Sequence, residues 1–144
     1  LYFGSDSKIS MNRRALETFA VARWADQRRQ SAFSATRDII ALGDFNLPKA
    51  SPGDPIFDEL TRRGLQLPAH STQIGSSIAE DNHYDQISFF PGETQEQFTG
   101  RSGVFDFDGA LFRPLWEARS RQDFLAYVRY HVSDHRPMWA EFAV

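Results

Sequence analysis

The chain has 144 residues, 41% hydrophobic and 24% charged, proportions of an ordinary globular domain rather than of a disordered or collagen-like chain. No apolar stretch approaches the roughly 18 residues that a membrane-spanning helix requires, and the lack of cysteine removes disulfides, thiolate metal sites and cysteine nucleophiles together. With a formal net charge of -3 there is no general basic field, so a polyanionic substrate has to be held locally, and any metal has to be bound by oxygen or imidazole.

Leu1-Tyr2-Phe3 reads as the end of a strand, which sets the start of the chain inside a domain. Over residues 12–30, Leu16, Phe19, Ala20 and Trp24 fall at helical spacing and predict an amphipathic helix capped by Ser10 or Asn12. Residues 38–44 form a short continuous apolar run, the pattern of a strand covered on both faces. Asp54-Pro55 supplies an N-cap and a first-turn proline, Ile56, Phe57 and Leu60 an apolar face, and Gly64 a stop, so a short helix is expected there. Residues 64–67 read as a strand, and residues 69–82, rich in Ser, Thr, Gly and Gln, as a surface loop bordering a site.

Residues 84–90 alternate as a strand closed by Pro91-Gly92. Residues 105–112 are compatible with a hairpin or a loop. A helix is expected from about Pro114, carrying Leu115, Phe124, Leu125 and Val128 and broken near Ser120, and residues 137–142 form the last strand.

Three short segments carry chemistry. Gly43-Asp44-Phe45-Asn46 puts a carboxylate and an amide just past the end of a strand, where α/β sheets build sites and where ordinary turns also use Asp and Asn. Ser133-Asp134-His135-Arg136-Pro137 sets a carboxylate beside an imidazole at the mouth of the last strand, in a metal-binding or proton-transferring arrangement or a plain capped loop. Asp85 shares a strand face with Ile87 and Phe89, opposite Tyr84, Gln86 and Ser88. A carboxylate among apolar neighbours needs a partner. Of His70, His83, His131 and His135, only His135 sits in a polar constellation, so Asp85 either orients His135 or accepts backbone hydrogen bonds in a turn.

In order, Gly-Asp-Phe-Asn, Tyr-Asp-Gln-Ile and Ser-Asp-His-Arg-Pro resemble the endonuclease/exonuclease/phosphatase superfamily of metal-dependent phosphoesterases, and the likeness includes the helix around Arg13-Arg14-Ala15-Leu16-Glu17. The resemblance implies an α/β fold, half of a four-layer αββα sandwich with a mixed or antiparallel sheet flanked by helices. Residues 1–144 would then be the C-terminal part of one such domain. It implies that Asp44 positions or deprotonates water or protonates the leaving oxygen, that Asn46 steadies the phosphate, that Asp134 helps hold Mg²⁺ or Mn²⁺, and that His135, oriented by Asp85, binds the phosphate. The family's N-terminal half normally adds a metal-binding Glu and an Asn; neither is assignable here, so this chain alone is expected to be inactive and the parent protein active.

The likeness spans nucleases and other phosphodiesterases and phosphatases, so the partner is a phosphoester, with nucleic acid among the candidates, together with the N-terminal half of the domain. Asp106-Phe107-Asp108-Gly109 resembles the nucleophile motif of haloacid-dehalogenase-type phosphatases, but it lies too late in the chain for that fold, and Asp106 and Asp108 are read as turn or loop residues. Calcineurin-like phosphatases share the Gly-Asp opening and require histidine motifs missing here. The rival class is a non-catalytic binding or assembly module that keeps the fold. Arg101, Arg113, Arg119 and Arg121 are read as a solvated face, Trp116 as core, and the absence of Cys fits a cytoplasmic setting.

Overall fold

The computed structural model of the chain describes residues 5, 7–69, 72, 74–80 and 82–143; the expectations on Leu1-Tyr2-Phe3 and His70 lie outside them. In chain order the elements are α1 (Lys8–Gln30), β1 (Ile40–Asp44), α2 (Pro55–Thr61), β2 (Asp85–Phe89), α3 (Glu93–Gln97), β3 (Phe98–Val104), α4 (Phe107–Leu111), α5 (Arg113–Ala118), α6 (Arg121–His131) and β4 (Met138–Phe142). The architecture is mixed α/β with antiparallel pairing, as expected: β1 pairs with β2 and β3 with β4. Among the described residues no helix is long and apolar enough to cross a membrane.

The α1 helix starts earlier than expected. Ser7, rather than Ser10 or Asn12, caps it, accepting from the Ser10 backbone N–H at 3.3 Å. It also buries a different face: Ala15, Thr18, Ala22, Ala25 and Asp26 are inside, whereas Leu16 and Trp24 are 67% and 63% exposed. Small residues on the buried stripe let α2 lie close, and Ile56 and Leu60 from α2 pack against it with Phe45, Leu47, Leu65 and Phe90. Removing side chains such as Ile56 and Leu60 from water is worth about 1.5–3 kcal/mol each. The α2 helix forms as its sequence dictates, with Asp54 Oδ1 accepting from the backbone N–H of Ile56 and Phe57, and Gly64 turning the chain at φ 96°.

Only one face of β1 is covered, contrary to expectation. Ile39 and Ala41 pack onto the α1–α2 cluster, while Ile40 and Leu42 on the opposite face are 40% and 70% exposed. The strand expected at residues 64–67 is reduced to a single bridge, Gln66 to Phe89, because no further register pairs follow it. The rings of Phe89, Phe98 and Phe142, with centroids 5.2–5.6 Å apart, join the two sheets.

Residues 105–112 are neither hairpin nor loop but mostly α4. Asp106 is its N-cap, accepting from the Gly109 backbone N–H at 2.8 Å, and Asp108 is a buried helical residue rather than a loop one. The break near Ser120 is present, with Ser120 capping α6. A second apolar cluster of Ile78, Phe107, Phe124 and Val128 lies beneath α4–α6. Trp116 stacks on Phe124 at 5.7 Å but stays 42% exposed at the edge of this cluster rather than in the core as expected, because α5 buries none of its residues. Three of the four expected solvated arginines meet Glu141, Glu117 and the Ala79 carbonyl respectively: Arg101, Arg113 and Arg121.

Candidate functional site

The site is built where β1 ends and β2 begins. Antiparallel register makes Asp44 and Asp85 partners, so two carboxylates face each other across the strands on the same side. Directly opposed like charges repel, a cost of up to about 1 kcal/mol that a cation relieves. The third member arrives from the turn before β4. There, Ser77 bridges to His135, the Ile78 backbone N–H donates to the Asp134 carbonyl at 3.1 Å, and His135 N–H donates to Ser133 Oγ at 3.0 Å.

These contacts bring His135 Nδ1 within 2.6 Å of Asp85 Oδ2. A carboxylate only accepts, so Nδ1 donates and Nε2 is the ring nitrogen turned to other partners. Partial burial pulls the His135 imidazole down in pKa, but the hydrogen bond to Asp85 and the charges of Asp85, Asp44 and Asp134 outweigh it and hold the ring above its ordinary value. One ligand atom each from Asp44, Asp85 and His135 lie within 4.8 Å of one another.

Asn46 is locked beside them. It takes the left-handed φ of 47°, which Asn tolerates through its own side-chain bonds: its backbone N–H and Nδ2 donate to Asp44 Oδ1 and Oδ2 at 2.7 and 3.2 Å. Its carbonyl accepts from Nη1 of the buried Arg14 on α1 at 2.9 Å. Asn46 and His135 line a cleft of about 590 Å³ with Tyr84, Glu80, Arg129 and Asp134.

No family model matches the chain, and neither does any curated protein. The site is therefore read from its own geometry. Asp44, Asn46, Asp85 and His135 come together. Asp134 does not join their cluster; it sits on the cleft rim, half exposed, paired with Arg129 Nη2 at 3.3 Å.

Two carboxylates and one imidazole are a donor set for a hard or borderline divalent cation, and such a set does not single out one metal. The Nδ1 that donates its proton to Asp85 has no lone pair for a metal, which leaves Nε2 and the carboxylate oxygens as the atoms that could hold one.

Sequence reasoning missed three contributors. Ser76 Oγ accepts from the Asp85 backbone N–H at 3.1 Å, Arg14 holds Asn46, and Arg136 forks onto Asp108. Ser76 sits in a stretch without periodicity, and the others are paired across gaps of 32 and 28 residues that no local pattern reveals.

Proposed function

We propose that this chain carries the acid–base and phosphate-binding part of a metal-dependent phosphoester hydrolase, in line with its resemblance to the endonuclease/exonuclease/phosphatase superfamily. The observation that supports this most is the joining of Asp44, Asp85 and His135 at one sheet end, with the His135–Asp85 hydrogen bond at 2.6 Å. Asp44 orients an attacking water and accepts its proton as the water oxygen bonds to phosphorus and the ester oxygen leaves. His135, its ring fixed by Asp85, donates from Nε2 to a phosphate oxygen, where negative charge builds in the transition state. Asn46 sets the position of the Asp44 carboxylate through its two hydrogen bonds.

Mg²⁺ or Mn²⁺ is the proposed cofactor, with the Asp44–Asp85 pair as the carboxylates that would hold it; bound there it would neutralise phosphate oxygens and ease deprotonation of water. On this reading the two sheets are one half of a sandwich.

A second reading, a non-catalytic assembly module, draws on one observation: Ile40 and Leu42 leave an apolar stripe exposed on the outer face of β1. One experiment separates the two. Hydrolysis of bis(p-nitrophenyl) phosphate is measured with Mg²⁺ or Mn²⁺ for the 144-residue chain and for the same chain with its upstream residues added. Metal-dependent activity of the longer form that disappears in His135→Gln and Asp85→Asn supports the hydrolase. Inactivity of both forms overturns it in favour of the module.

A further inference from the structure

The roles above make no use of Asp108, although it is the most deeply buried carboxylate among the described residues, at 2% exposure. Its partner is Arg136, 7% exposed and next in sequence to His135. Nε and Nη2 of Arg136 donate to Oδ1 and Oδ2 of Asp108 at 2.5 and 2.7 Å, the forked geometry in which a guanidinium matches a carboxylate. Nη1 donates to the carbonyls of Gly75 and Ser77 at 3.0 and 2.6 Å, and the Arg136 backbone N–H donates to the Ser76 carbonyl at 2.6 Å. Burial alone pushes the Asp108 carboxyl up in pKa, and the hydrogen bonds and charge of Arg136 more than offset that and hold it low.

A buried ion pair is an inefficient way to gain stability, because desolvating both charges cancels most of their attraction, and apolar residues of equal volume often do as well. What such a pair does supply is direction, since a fork satisfied on both sides admits one arrangement. Here the direction bears on the site from two sides. Arg136 fixes the backbone that carries His135, and the same guanidinium clamps the carbonyls on either side of Ser76, whose Oγ receives the Asp85 backbone N–H.

We propose that Asp108 and Arg136 form a positioning pair for the Asp85–His135 couple, one guanidinium holding both the histidine's chain segment and, through Ser76, the aspartate's. The consequence for catalysis rests on the hydrolase reading; the consequence for the hydrogen bond does not. Neither Asp108 nor Arg136 touches substrate.

The test reads the hydrogen bond directly. A proton held between His135 Nδ1 and Asp85 gives a far-downfield proton resonance, assigned by its loss in Asp85→Asn. In Asp108→Asn and Arg136→Lys we expect that resonance to move upfield or broaden away while the amide spectrum of α1, α2 and β1 is kept. In the active form kcat falls about 10- to 100-fold, the range seen when residues supporting a site are removed, with KM changed less than about threefold. Asp108→Glu, which restores the charge, recovers part of the signal.

Should Asp108→Asn not fold, Ser76→Ala removes the acceptor for Asp85 N–H, together with a long 3.4 Å bond to the Asn82 carbonyl, and is expected to shift the same resonance. Folded variants with lowered melting temperature and an unmoved resonance overturn the proposal. A resonance that moves in a protein without hydrolytic activity upholds the positioning pair and removes the hydrolase reading instead.

Discussion

Asp44 and Asp85 are register partners at the last pair of the β1–β2 ladder, so two acidic side chains share one face with only a strand spacing between them. Their mutual repulsion makes the site respond to added cation.

Divalent cation should therefore stabilise the fold through this cluster. Mn²⁺ at 100 times its dissociation constant adds about 2.7 kcal/mol to a chain that binds it only when folded. Thermal melts with and without Mn²⁺ check this: a rise in Tm for the natural chain that is lost in Asp85→Asn is expected, and equal shifts in both would place the cation elsewhere.

The raised pKa of His135 has a signed consequence. Because the folded state binds the proton more tightly than the unfolded one, the stabilisation is fully present below about pH 6.5 and is lost as pH rises through the folded-state value. Urea unfolding of the natural chain and of His135→Gln between pH 5.5 and 9 should give a stability difference that shrinks toward alkaline pH. A difference that stays constant would mean that the Asp85 and Asp44 charges do not act on the ring.

Asn46 at φ 47° separates backbone strain from side-chain chemistry. Asn46→Val, unable to adopt this conformation cheaply, is expected to cost about 1–3 kcal/mol. Asn46→Gly keeps the backbone, and with it the backbone N–H bond to Asp44 Oδ1, and loses less stability; both variants lose the Nδ2 bond to Asp44 Oδ2, so on the hydrolase reading activity falls further in Val than in Gly. Denaturant midpoints for the pair, set beside rates, decide the point; equal destabilisation would show that the left-handed turn is not under strain.

Leu60 and Leu42 provide a contrast between two leucines of opposite surroundings. Leu60→Ala empties space in the α1–α2 core and should cost about 2–5 kcal/mol. Leu42→Gln, on the open face of β1, should change stability by no more than about 0.5 kcal/mol. If Leu42→Gln costs as much as Leu60→Ala in equilibrium unfolding, something covers that face in solution.

The parts of the fold legible in the sequence are those with local causes. Asp54-Pro55 starts α2, Ser120 divides α5 from α6, and the alternation of residues 84–90 yields β2, because each is set by neighbours a few residues away. Asp44, Asn46, Asp85 and His135 were readable as candidates since they stand at strand ends.

What was hidden depends on distant partners. The α1 helix turns Ala22 and Ala25 inward and Trp24 outward, because close approach of α2 favours small side chains over hydrophobic ones. The stretch Thr99-Gly100-Arg101-Ser102-Gly103 has no strand pattern and becomes β3 through pairing with β4. Asp134 looked like a member of the cluster beside His135, but the chain direction there turns it to Arg129.

The span of the His135–Asp85 contact, 50 residues apart in sequence, also fixes when the site comes into being. The α5–α6 unit closes a short loop, whereas α1 meets α2 only across residues 31–54 and this contact needs a closure of 50 residues. The segment between the two residues carries α3 to α6 and β3, so all of these lie inside the loop that the contact closes.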